Sequence, residues 1–246
     1  MKNAIRTILL SATLLTGVAQ AQEPGSPEFD AAVRDYLLNN PEILLEMQEA
    51  LQARQQEMAL AQQQETLERD ADRIYDSEHN IVLGNPDGDV TVVEFFDYNC
   101  AFCRRAVADM QAVIEQDPEV RFVLKEFPIL GPASTEAHVV SMAVKDVAPE
   151  TYGEFHTRLL EFEGQADRAS AIAIATELGI DEAALEAGMA EGDSEAAFNE
   201  SYEIANALQI TGTPSYIVSG ELMFGAYGAD AILEAVARAR EAAASN

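Results

Sequence analysis

The sequence has 246 residues, with 43 Asp and Glu against 15 Lys and Arg, for a formal net charge of −28. A field of that sign repels phosphate backbones and anionic lipid, which argues against nucleic-acid binding and against docking on a charged membrane surface. The chain holds only two cysteines, three positions apart, so it is not a small disulfide-stapled scaffold.

The chain opens on Lys2 and Arg6, then an apolar run from Ile8 to Val18, then Ala19-Gln20-Ala21. This order predicts a cleavable secretory signal over 1–21, and the run is too short to span a bilayer as a stable helix. No other stretch is long and apolar enough to cross, so no stable membrane insertion is expected. Loss of the signal removes two cations and no acid, moving the charge from −28 to −30.

Two helix starts follow with one chemistry. Ser26-Pro27-Glu28 and Asn40-Pro41-Glu42 each offer a capping side chain, a proline for the first helical position and an acid facing the helix dipole. They predict one helix over 27–39 and a second from Pro41 to Tyr75, within an extension covering 22–80. Leu44, Leu51 and Met58 fall seven apart, as do Leu60, Leu67 and Ile74, but the seam shifts midway and Arg54 interrupts. Two readings fit: a homo-oligomerisation stalk through 27–75, or an amphipathic helix folded back on its own domain. The stalk is preferred, because a lone helix of this length and polarity is marginal unless its stripe meets a partner.

Past residue 80 the pattern changes. Ile81-Val82-Leu83 leads into Gly84-Asn85-Pro86-Asp87-Gly88-Asp89, which cannot continue a helix. A buried strand is predicted over 90–96, a helix from about Cys100 with Ala106, Val107, Met110 and Val113 on one face, and a strand over 120–127. From 132 to about 208 the pattern is helical, with Leu178-Gly179-Ile180 ending one helix and Asp181 and Ser194 capping the next two. Strand character returns at 213–218 and 221–224, before a last helix over 229–243.

The two cysteines enclose Ala101 and Phe102 at the junction of strand and helix. A crosslink between such near neighbours closes a tiny loop and removes little chain entropy, so the pair is placed to react rather than to staple. Attack on a disulfide needs a thiolate, and a helix N-terminus directs unpaired N–H groups at the first sulfur. The second, one turn on, is within reach to resolve a mixed disulfide. Zinc would need two further ligands, yet His79, His138 and His156 show no ligand spacing. Arg104 follows the pair where a c-type haem attachment needs His.

The stretch Val92-Val93-Glu94-Phe95-Phe96-Asp97-Tyr98-Asn99-Cys100-Ala101-Phe102-Cys103 resembles the active-site strand and helix of the DsbA-like branch of the thioredoxin superfamily. Gly212-Thr213-Pro214 resembles its cis-proline loop, and the likeness covers about 81–246. It implies an α/β thioredoxin-like fold with an inserted helical domain at about 132–208, here preceded by the helical extension. It further implies Cys100 as exposed nucleophile, Cys103 as buried resolving thiol, and Glu94 as a buried acid that takes and returns the Cys103 proton. Thr213 and Pro214 would present backbone to substrate, and Lys125 would pair with Glu94. The resemblance implies no cofactor and no metal, a periplasmic location, exported cysteine-containing proteins as substrates, and a DsbB-like or DsbD-like membrane redox partner. Ala101-Phe102 departs from the Pro-His of the strongest oxidant in the branch, so thiolate stability and direction do not carry over. Thr213 looks more like the isomerase relatives, which together with the stalk leans toward reduction and isomerisation. The competing class is an exported holdase or a Cu(I) carrier using the same dithiol.

Overall fold

The structure, a computed structural model, describes residues 24–245 and divides after Met58 into two compact units. The expected signal at 1–21 lies outside the described residues.

In the first unit, α1 (Pro27–Asn39) starts as its sequence dictates: the Ser26 hydroxyl accepts from the Phe29 N–H at 3.2 Å, and Pro27 stands at the first position. Asn40 behaves differently from expectation. It ends α1, its side-chain amide donating to the Tyr36 carbonyl at 2.7 Å, and α2 (Ile43–Arg69) begins only after a turn at Pro41 and Glu42. Because α1 stops directly before this segment, its unpaired carbonyls capture the amide that would otherwise have capped α2. Tyr36, Leu38, Leu44, Leu45, Met47, Leu51 and Met58 are all exposed.

The helix predicted through Tyr75 is interrupted at Asp70, whose carboxylate takes the guanidinium groups of Arg69 (2.8 Å) and Arg73 (3.3 Å); α3 (Ala71–Tyr75) follows. The second heptad row also divides. Leu60 is exposed, whereas Leu67 and Ile74 are buried in the core of the second unit. Residues 59–75 therefore pack with the C-terminal unit, and the extension as predicted over 22–80 contains two structural parts.

That unit is built on a five-stranded sheet of order β1-β3-β2-β4-β5: β1 (Ile81–Gly84), β2 (Val90–Phe96), β3 (Val120–Glu126), β4 (Ser215–Val218) and β5 (Glu221–Phe224). Only β2 and β3 run parallel, joined through α4 (Ala101–Gln116). β1 is the edge strand that Ile81-Val82-Leu83 forms against β3, with Val82 opposite Val123. The two central strands are buried on both sides, hence their near-continuous apolar sequence.

Alternation along them sorts the core into two clusters. Val92, Phe96, Phe122 and Leu124 face one side, where α4 and α10 (Ala229–Ala244) pack. Continuous with that cluster is the helical segment α5 (Pro132–Val147), α6 (Tyr152–Glu161), α7 (Arg168–Glu177) and α8 (Glu182–Glu191). Val93, Phe95, Val123 and Ile217 face the other side, beneath Leu67, Ile74 and the Ile204–Ala205–Leu208 end of α9 (Ser194–Ala207). So α9, inside the predicted insertion, returns to cover the sheet. The Leu178-Gly179-Ile180 stop is as expected, with Gly179 at φ +88° and the Ile180 N–H reaching the Ala175 carbonyl at 3.1 Å. Asp181 caps α8, but α9 is capped one residue earlier than predicted, by Asp193 rather than Ser194.

Candidate active site

The loop from β2 into α4 brings the pair together with the insertion. Asp97 is fully buried, and its carboxylate accepts from the N–H groups of Asn99 (2.8 Å), Ile129 (2.8 Å) and Leu130 (3.0 Å) and from the Ser134 hydroxyl (2.8 Å). A buried carboxylate is tolerable only with such compensation. Its backbone carbonyl accepts the Cys100 N–H at 3.0 Å. Asn99 exchanges two hydrogen bonds with the backbone of Ala166, both at 2.8 Å, and Arg104 donates to the carbonyls of Phe162 and Gly164, both at 2.6 Å. The loop carrying Cys100 is thus clasped by the helical insertion at Phe162, Gly164 and Ala166.

Cys100 is the N-cap of α4, with extended φ −78° and ψ 118°, so its sulfur faces the free N–H groups of the first turn. Its pKa falls from 9.0 to about 5. The first cause is a hydrogen bond from the Cys103 side chain; burial opposes it, Cys100 being only 7% exposed rather than open as expected, and Thr213 and the N–H groups of Cys103 and Phe102 add to the lowering. As a thiol, Cys100 donates to the Thr213 carbonyl at 3.1 Å. Cys103 has no exposed surface; burial first, then its hydrogen bond to Cys100 and the charges of Glu94 and Cys100, push its thiol far upward. The two sulfurs are separated in protonation: at neutral pH one is a thiolate and the other a thiol.

Glu94 lies on the same face of the sheet as the pair, opposite Tyr216 on β4. Burial raises its pKa to about 8; a hydrogen bond with Tyr216 opposes this, and the charges of Asp109 and Cys100 add to it. Its carboxyl holds a proton at neutral pH and gives it up only slightly above. Lys125 does not join it. In the parallel register Glu94 stands beside Leu124 and Phe95 beside Lys125, so alternation sends the lysine to the opposite face. There its ammonium donates to Glu200 at 2.6 Å and to the Arg73 carbonyl, and burial lowers its pKa. Burying a charge that way demands a partner, and Glu200 is the one within reach.

The Thr213–Pro214 bond is cis, and the Thr213 carbonyl lies against Cys100. Ala101 and Phe102 are exposed, and the Arg105 guanidinium lies over the Phe102 ring at 4.5 Å.

Residues 91–237 match the family described as DSBA-like thioredoxin domain. The chain belongs to that family. A thioredoxin-like oxidoreductase from Silicibacter pomeroyi is 39% identical, with a TM-score of 0.66 over 69% of this chain and 97% of that one. Proteus mirabilis ScsC in a transitional conformation is 28% identical, with a TM-score of 0.65 over 86% of this chain and 93% of that one. Disulfide bond formation protein D of Bacillus subtilis is 36% identical over 90 residues, covering 35% of this chain and 40% of that protein. This chain spans 25% to 40% of the length of the curated relatives it matches, two of them sodium/proton antiporters. Residues 28–57 match the description copper resistance protein ScsC N-terminal domain. The fold is therefore the thioredoxin-like DsbA fold with an N-terminal helical region, as the sequence resemblance implies.

Within this DSBA-like domain, sequence reasoning did not find the polar cluster beneath the loop. His138 bonds Glu126 through Nδ1 and takes the Tyr98 N–H on Nε2 at 3.4 Å. The Tyr98 hydroxyl meets Ser141 (2.8 Å), Tyr152 (3.2 Å) and His156 Nδ1 (3.2 Å), and Tyr152 reaches Glu126 at 3.0 Å. Burial and then the charge of His138 hold His156 near a pKa of 3, so it is neutral. Both histidines are internal hydrogen-bonding groups, in keeping with their lack of ligand spacing. Asp97 and Asn99 were likewise unmarked, although Asp before a Tyr-Asn-Cys turn is a residue type suited to binding successive loop N–H groups.

Proposed function

We propose that this chain is an exported, periplasmic thiol–disulfide oxidoreductase that acts on cysteines of other exported proteins through Cys100 and Cys103. The observation that carries the reading is the placement of the pair: Cys100 at a helix N-cap against the Thr213 carbonyl that precedes the cis-proline, and Cys103 fully buried one turn below.

The Cys100 thiolate attacks one sulfur of a substrate disulfide, forming a mixed disulfide and expelling the other substrate sulfur as thiolate. Cys103 loses its proton to Glu94, once that carboxyl is ionised, and attacks Cys100. The Cys100–Cys103 disulfide forms, and the remaining substrate sulfur leaves reduced. In reverse, the enzyme disulfide accepts two electrons from a substrate dithiol. Thr213 and Pro214 offer backbone to an incoming strand, and Ala101 and Phe102 set the surroundings of the thiolate. A stabilised thiolate favours the dithiol form, which is the resting state that isomerisation uses and also makes the disulfide form an oxidant.

Direction then rests on assembly and redox partner. The exposed apolar row of 36–58 and the match at 28–57 support a homo-oligomer and hence the reductive, isomerising side, served by a DsbD-like rather than a DsbB-like membrane partner. Residues 28–57 contain neither Cys nor His, so the copper named in that match finds no ligand of those two types in the segment. The test is refolding of a scrambled disulfide protein by the wild type and by Cys100→Ser. Full activity in the variant would end this reading and leave the dithiol as a holdase or Cu(I) feature.

A further inference from the structure

Beside the reactive pair runs a groove of about 590 Å³, bounded by Phe102 and Arg105 of α4, by Thr213 and Pro214, by Phe224 at the end of β5, and by Gln63. The size suits a few residues of an extended chain. Its aromatic edges are open, Phe102 being 54% and Phe224 48% exposed. No Asp or Glu lines it, and Arg105 is its one charged residue.

Arg105 stands apart in a second way. Every other Lys and Arg in 59–245 makes a hydrogen bond or ion pair with a carboxylate or carbonyl among the described residues. These are Arg69, Arg73, Arg121, Lys125, Arg158 and Arg168, with Lys145, Arg238, Arg240 and Arg104. Arg105 makes none, and among the described residues its one partner is the ring of Phe102. With 43 acids to 15 cations, an internal carboxylate for it would be the easy outcome. Contact with the ring holds the guanidinium at the groove while its N–H groups have no carboxylate or carbonyl among the described residues, so they remain able to receive a planar carboxylate in two parallel hydrogen bonds.

We infer that Arg105 reads a carboxylate on the substrate, so that the groove selects peptides carrying Asp or Glu beside the reacting cysteine. This rests on the exchange function proposed above and names a substrate class for the same site. Arg105 acts locally, against the repulsion that the rest of the acidic surface exerts on such a peptide. The preference is therefore tied to one position along the peptide rather than spread over its whole charge.

The test compares C-terminally amidated, disulfide-linked peptides that are identical except for Asp or Asn at successive positions flanking the cysteine. Each is reduced by the full-length dithiol protein at low ionic strength. At one position the Asp peptide is expected to react about threefold faster than its Asn counterpart, the scale of one partly exposed ion pair. Arg105→Gln should bring that ratio to one or below, Arg105→Lys should keep part of it, and high salt should erase it in the wild type. An equal ratio in wild type and Arg105→Gln, or no favoured position, overturns the inference while leaving exchange intact. Reaction of both peptides no faster than with an ordinary free thiol overturns the exchange reading and this one with it.

Discussion

Replacing Cys103 by alanine separates the causes of the Cys100 ionisation. Cys100 sits at about 5, and the hydrogen bond from the Cys103 side chain is the largest contribution to the lowering. A hydrogen bond to a charged acceptor contributes about 1.5–3 kcal/mol. At about 1.4 kcal/mol per unit, that is one to two pKa units. Cys103→Ala is therefore expected to raise Cys100 to roughly 6–7, still below the ordinary thiol value of about 8.5, because the Phe102 and Cys103 N–H groups remain. Cys103→Ser keeps a donor at the same place and should raise it by about half as much. The assay is the rate of Cys100 alkylation by iodoacetamide against pH, which follows the thiolate fraction. In the wild type the buried Cys103 titrates far higher and does not interfere. A Cys100 midpoint in Cys103→Ala within about 0.3 unit of the wild type would refute the reasoning, since one such hydrogen bond is worth at least a unit. So would equal shifts in the Ala and Ser variants, since the serine retains the donor.

Three further outcomes follow from the same geometry. Glu94 binds its proton more tightly folded than unfolded, so the stability it contributes is full below about pH 4.3 and is lost as pH rises through about 8. Urea titrations at pH 5 and pH 9 should show Glu94→Gln losing less stability than the wild type, and the resolving step should lose its inflection near pH 8; parallel curves would reject the assignment. Asp97→Asn sets an amide against three backbone donors and a hydroxyl, and should cost about 2–4 kcal/mol in urea unfolding, where a cost below about 0.5 would deny the clasp its importance. Deleting residues through 58 should leave the domain stable and monomeric by light scattering, with the full chain larger. Deleting through 80 uncovers the places of Leu67 and Ile74, at about 1.5–3 kcal/mol each. Equal stability of the two truncations would contradict the packing.

Much of the fold could be read locally. The apolar runs of β2 and β3, the Gly179 stop and the Ser26 cap depend on near neighbours in the chain. What escaped depends on register or on distant partners. Lys125 reads as a neighbour of Glu94 until the pairing of Phe95 with Lys125 fixes which face it takes. The meeting of Glu126, His138, Tyr152 and Tyr98 draws on four separate stretches, with no spacing to announce it. Asn40 had two helices competing for one side chain, and the carbonyls behind it won. The heptad row of Leu60, Leu67 and Ile74 is the same kind of ambiguity, because a seam for a partner and a stripe for one's own core share a period.

The clasp on the active-site loop also bears on how such a protein can change. Asn99 and Arg104 hold backbone at Phe162, Gly164 and Ala166, while Asp97 holds Ile129 and Leu130. The insertion and the loop carrying Cys100 are therefore coupled, and exchanging either alone with a relative disturbs the other. Conversely, the stretches around 129–134 and 162–166 are places where drift in sequence retunes the sulfur while the Cys-Ala-Phe-Cys signature stays fixed.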